Sequence, residues 1–195
     1  KTQGTTYYVW VKDAAGNVSA SKSTATGSVT GLTTSNTTFS YSPSGWTNGS
    51  VTATVSTTVT GYTLQTSKDG KTWESKTTQT YTGNGTVYAR LWDGTNVGAT
   101  LSANVTNIDK LAPNTFTPTA TSTTKSITVT ASTTDQNATS TSGKSNIAGY
   151  RFKLDSGSWT SYQTSGTYTW NNLAQTTNHT ITVEAKDNAG NTTTG

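Results

Sequence analysis

The 195 residues carry a formal net charge of +4, with 29% hydrophobic and 11% charged side chains, six Trp, nine Tyr, three Phe and no Cys. So many aromatic residues at so little net charge exclude a disordered polar tail, and the thinly spread Lys and Arg exclude a basic groove that tracks nucleic acid. A disulfide framework is excluded, and no apolar run reaches membrane-spanning length, so no membrane insertion is expected within this segment.

About a quarter of the chain is Thr, whose branched Cβ favours extended backbone while its hydroxyl tolerates water. This composition predicts an all-β, antiparallel fold with polar outer faces. One turn recurs. Lys12-Asp13-Ala14-Ala15-Gly16-Asn17 returns as Lys186-Asp187-Asn188-Ala189-Gly190-Asn191 and, degraded, as Trp92-Asp93-Gly94-Thr95-Asn96. Asp opens each copy and Gly or Asn supplies positive φ, as in a hairpin. The copies divide the chain into a fragment, 1–27, and two domains, 28–109 and 110–195.

In chain order, the fragment reads as one hairpin. The middle domain is expected to have strands at 37–41, 51–59, 62–67, 72–75, 78–82, 86–92 and 100–106. The last is expected to have strands at 126–132, 147–155, 160–163, 167–170 and 179–186, with 133–145 as its most variable loop. The sixth strand of a sandwich, strand F, fixes the faces. Tyr7, Val9 and Val11 align with Val87, Ala89 and Leu91 and with Ile181, Val183 and Ala185, which predicts an inward face. Tyr8, Trp10 and Lys12, then Tyr88, Arg90 and Trp92, then Thr182, Glu184 and Lys186 take the outward one. The join, Asn107 to Pro113, is short and lacks Gly, which predicts a fairly stiff spacer. Both ends are expected to be cut from a longer polymer.

Three segments then carry a resemblance: Trp46-Thr47-Asn48-Gly49-Ser50-Val51-Thr52, Ser67-Lys68-Asp69-Gly70-Lys71-Thr72-Trp73, and Val105-Thr106-Asn107-Ile108-Asp109-Lys110-Leu111-Ala112-Pro113. In this order they resemble the repeated Ig-like domains of large bacterial surface proteins. Leu173 followed by His179, Ile181, Val183, Ala185 and Asp187 is similar to the end of a fibronectin type III-like repeat, although a Tyr usually stands where His179 does. The resemblance implies tandem Ig-like and fibronectin III-like β-sandwiches with an N-terminal orphan hairpin. Residues 1–27 would be strands F and G of a preceding repeat, 28–109 an Ig-like sandwich, and 110–195 a fibronectin III-like sandwich lacking most of its last strand. It also implies a secreted or cell-surface protein whose repeats serve as stalk or adhesin modules, and it transfers no catalytic residue.

The candidate ligand site is Tyr88, Arg90 and Trp92, which share one strand face and offer flat rings to a sugar or a partner. The alternative is cross-strand packing on a solvated sheet. Trp46, Trp73, Trp159 and Trp170 stand beside turn clusters and are expected to anchor cores or hairpins. His179, the only imidazole, is assigned a structural place at the start of strand F, and no catalytic residue is expected. No metal and no cofactor are expected either. Asp109 with Asp93 would give calcium only two carboxylates, so Asp109 is read as a surface acid beside Lys110. An isopeptide crosslink would need Glu74, Asp69 or Glu184 to be buried. Expected partners are neighbouring repeats, other copies of the chain forming a filament by strand complementation, and host or cell-wall glycans or proteins. The alternative is a glycan-binding or spacer module of a secreted carbohydrate-active enzyme.

Overall fold

The computed structural model describes residues 5–25, 27–174 and 178–195. Among them every regular element is a strand: β1 (Thr6–Val9), β2 (Lys22–Ala25), β3 (Thr37–Ser42), β4 (Val51–Thr57), β5 (Thr63–Ser67), β6 (Thr78–Tyr81) and β7 (Gly85–Trp92). There follow β8 (Leu101–Val105), β9 (Thr119–Ser122), β10 (Ile127–Thr130), β11 (Ile147–Leu154), β12 (Thr167–Trp170), β13 (Ile181–Asp187) and β14 (Thr192–Thr194). β1 and β2 form a two-stranded sheet. The other sheets have the orders β3-β4-β6, β5-β7-β8, β9-β10-β12 and β11-β13-β14. First, second and fourth strands on one sheet, with third, fifth and sixth on the other, is the Ig and fibronectin III arrangement, present twice.

The chain divides into two compact units. One comprises Lys1–Ser40, Thr54–Gln79 and Thr86–Ala103, and the other Tyr41–Ala53, Thr80–Gly85 and Asn104–Gly195. Strand F shows why the sandwiches form. Val87, Ala89 and Leu91 on β7, and Val183 and Ala185 on β13, are wholly buried, while the alternate residues are half-buried. In the second unit Val183 and Ala185 pack with Val129, Ala131, Tyr150 and Phe152, and Phe116, Ile147, Tyr168, Trp170 and Ile181 rim this core.

The first hairpin departs from the expectation. Val9 and Val11 are 61% and 69% exposed although the pattern assigns them inward, and Tyr8 and Trp10 are exposed as well. Among the described residues β1 is hydrogen-bonded in a sheet only to β2, so neither face gains the second layer that buries its counterparts. The expected strands at 72–75 and 160–163 contract to the single bridges Thr66↔Glu74 and Tyr150↔Gln163, because each segment meets its partner at one point of the sheet edge. β9, unforeseen, is exposed throughout and has no hydrophobic alternation to announce it. The last strand is three residues long.

The join is built into the second unit and is not a free spacer. Asn107 Nδ2 donates to the carbonyls of Pro43 and Gly45 at 2.9 and 2.7 Å, Ile108 N donates to Asn84 Oδ1 at 2.9 Å, and Lys110 N donates to Ser142 Oγ at 2.9 Å. Asn191 Nδ2 reaches the carbonyls of Asp109 and Leu111 at 3.0 and 3.2 Å. Ile108 and Asp109 are completely buried, which overturns the reading of Asp109 as a surface acid.

Candidate functional site

The period of two along β7 places Tyr88, Arg90 and Trp92 on one outer face, all half-buried. Arg90 stands directly across from Gln65 on β5, and its Nε donates to Gln65 Oε1 at 2.9 Å. The guanidinium lies 4.1 Å from the centre of the Trp73 ring. The Tyr88 ring lies over Gly70, whose φ of +69° belongs to the turn that delivers Trp73. Arg90 is therefore occupied within the sheet, between an amide and an indole, and the rings of Tyr88 and Trp92 flank it along the strand. Trp73 does not enter the buried core; it supports the Arg.

The second sandwich carries the same device with the donor moved. Arg151 on β11 stands across from Glu184 on β13, with Nε to Oε1 at 2.7 Å. Its guanidinium lies 4.6 Å from the Trp159 ring centre and 5.0 Å from that of Tyr162. Trp159 follows Arg151 by eight residues, as Trp73 follows Gln65, so the cation reaches the equivalent indole from opposite strands in the two sandwiches. Lys153 Nζ sits 5.0 Å from the Trp159 ring centre and Lys186 Nζ 4.1 Å from that of Tyr162. The Tyr162 hydroxyl also donates to Glu184, and burial followed by that bond pushes its pKa up to about 12. Trp170, by contrast, packs edge-on to Tyr168 beside the core, and Trp46 stacks over Gly143.

Asp109 meets two acids that periodicity alone does not reveal. One oxygen from each of Asp109, Asp135 and Asp187 falls within 4.8 Å of the others, and all three residues are buried. Asp109 accepts from Ser142 Oγ and Leu111 N at 3.1 Å and from Ser145 N at 2.8 Å. Burial pushes its carboxyl up, but these donors outweigh it and hold the pKa below the ordinary value. Asp135 is held above the ordinary value, first by burial and then by the charges of Asp109 and Asp187, against the pull of Asn146 N at 2.7 Å. Asp187 closes the recurring turn, accepting from Gly190 N at 2.7 Å, Asn191 N at 2.9 Å and Asn191 Nδ2 at 2.8 Å. Carboxylate oxygens gathered in this way are the type that holds Ca²⁺ or Mg²⁺.

No protein-family model and no curated protein matches the chain. Among solved structures it is similar to the FN1–FN3 domains of chicken CNTN1, at 15% identity and a TM-score of 0.32, over 99% of this chain and 77% of that one. It is also similar to domains A168–A170 of titin, at 13% identity and a TM-score of 0.46, over 96% of this chain and 70% of that one. The fold class rests on the chain's own strand order.

Asp135 was hidden in the polar run 133–145, expected to be a variable loop. Three buried polar residues in that run, Asp135, Ser142 and Ser145, tie it down. Asp187 was visible only as a turn residue, and Asp13 and Asp93 close the same turn while exposed. Asp93 accepts from Thr95 N and Asn96 N at 2.8 and 2.7 Å, as a turn acid does. None of the acids considered for a crosslink is fully buried: Asp69 and Glu74 are exposed and Glu184 is half-buried. His179 Nδ1 lies 2.8 Å from Asp155 Oδ2, and Asp155 Oδ1 accepts from Thr180 N at 2.7 Å. This latch ties the turn after β11, where Asp155 has φ +51°, to the start of strand F.

Proposed function

We propose that this chain is a non-catalytic, extracellular repeat segment that acts as a stalk, holding other parts of a surface or secreted protein at a distance. The observation that carries this reading is the embedded join: Ile108, Asp109 and Pro113 are buried and Asn107 to Leu111 are hydrogen-bonded inside the second unit, where a flexible tether would be solvated. The reactive side chains support it too. The lone imidazole is spent on the Asp155 latch, Arg90 on Gln65 and Trp73, and Arg151 on Glu184 and Trp159.

The test places a fluorescent donor and acceptor at the two ends of the chain. A stalk gives one narrow transfer distribution, and the doubly substituted Asp109→Ala, Asn191→Ala chain gives a broad one. A broad distribution in the unsubstituted chain sinks the reading.

A second reading, glycan binding by the first sandwich, draws on Tyr88 and Trp92, whose rings stay half-exposed on either side of the occupied Arg90. Binding on a glycan array that disappears with Trp92→Ala supports it; a clean negative array removes it. Filament formation through residues 7–26 is tested by sedimentation, where a monodisperse monomer rejects it.

A further inference from the structure

The last domain conceals its negative charge. From Asp109 onward the chain has six Lys or Arg residues, Lys110, Lys125, Lys144, Arg151, Lys153 and Lys186, against five acids. Three of the acids, Asp109, Asp135 and Asp187, are buried together. Only Asp155 and Glu184 present carboxylates outside the core, beside six cations, so the side chains open to a charged partner are mostly basic. The outer face of β11 and β13 concentrates this excess.

How the cations are held decides what that face can do. A carboxylate that positions a lysine also cancels its charge, whereas an aromatic ring positions it and leaves the charge intact. Lys153 and Lys186 rest on Trp159 and Tyr162, and the one carboxylate of the face, Glu184, is taken by Arg151 and the Tyr162 hydroxyl. Two ring-supported ammonium groups thus stand uncancelled on neighbouring strands, either side of Arg151.

From this we infer that the outer face of β11 and β13 is a docking surface for an extended anionic polysaccharide bearing carboxylates. An extended chain matches the face of two paired strands, and its repeated charges match the two uncancelled ammonium groups, Lys153 on β11 and Lys186 diagonally across on β13. The equivalent face of the first sandwich has a single cation, Arg90, across from the neutral Gln65, and provides the internal control. The inference does not depend on the stalk reading.

The experiment is calorimetric titration of the whole chain with polygalacturonate at low salt, with neutral dextran and single-stranded DNA in parallel. Polygalacturonate is expected to bind and dextran not to bind. Affinity should fall on going to physiological salt, where screening acts over about 8 Å. Lys153→Gln with Lys186→Gln should weaken binding about tenfold, the effect of losing two exposed ion pairs. Lys125→Gln, away from this face, should leave it unchanged. Thermal melting of each variant separates a lost contact from a lost fold, and Lys153→Arg with Lys186→Arg should restore binding. Absence of binding at low salt, binding untouched by the double substitution in a folded protein, or DNA binding as tight as polygalacturonate would each overturn the assignment.

Discussion

At the scale of single residues, the chain places its costly groups where partners are close. Asp135 and Asp109 sit in one buried cluster with opposite pH behaviour. The folded state raises the pKa of Asp135 above its ordinary 3.8, so its favourable contribution is complete below 3.8 and is lost as pH rises through the folded value. Asp135→Asn keeps an acceptor for Asn146 N and removes the charge. It should therefore raise Tm by a few degrees at pH 7, with the gain vanishing near pH 3, as read by thermal melts across that range. Asp109→Ala strands two backbone N–H groups and a serine hydroxyl, and should cost about 2–4 kcal/mol in urea unfolding at pH 7. On the sheet face, Arg90→Ala removes the cation from Trp73 and the donor from Gln65. A loss of about 1–2 kcal/mol is expected, with Arg90→Lys recovering part of it by keeping the charge and losing the planar fork.

At the scale of elements, strand F and its turn were legible because period-two burial and an Asp-to-Gly turn are local signals. Val87, Ala89, Leu91, Val183 and Ala185 obey them. Val9 and Val11 carry the same letters and are exposed, because burial depends on a covering sheet that no local pattern encodes. Tyr88, Arg90 and Trp92 were correctly placed on one outer face, but Arg90's engagement by Trp73 and Gln65 depends on the neighbouring strand and its turn. The acidic trio was illegible for the same reason, since its members come from three segments joined only by tertiary folding. One glycine shows how tightly β11 is constrained. A Cβ on Gly149 would stand 2.6 Å from the carbonyl oxygen of Gln163, at a register shift between Ile147 and Gly149. Gly149→Ala should therefore push away the Tyr150↔Gln163 bridge, whose two bonds are 2.8 and 2.9 Å long, and cost about 1–3 kcal/mol. Hydrogen exchange should show the Tyr150 amide losing protection first.

At the scale of the whole molecule, stability should depend on acid more than on redox conditions. Asp13, Asp69, Asp93, Asp109 and Asp155 are all held below the ordinary 3.8 by donors in the folded state. Their contribution is present above 3.8 and is lost as pH falls through the folded values, so tryptophan fluorescence should report unfolding that sets in below about pH 4. Reductant should leave the transition where it is, because the chain has no Cys. The paired sandwiches also carry a lesson for anyone who builds from them. The indole of Trp73 is covered by an Arg from β7, and that of Trp159 by an Arg from β11. A consensus gene assembled column by column, with Gln from one copy and Glu from the other, would satisfy every aligned position and leave the tryptophan bare. What the two sandwiches share is a relation among three positions, and it is the triplet, chosen whole from one copy or the other, that a designer must carry over.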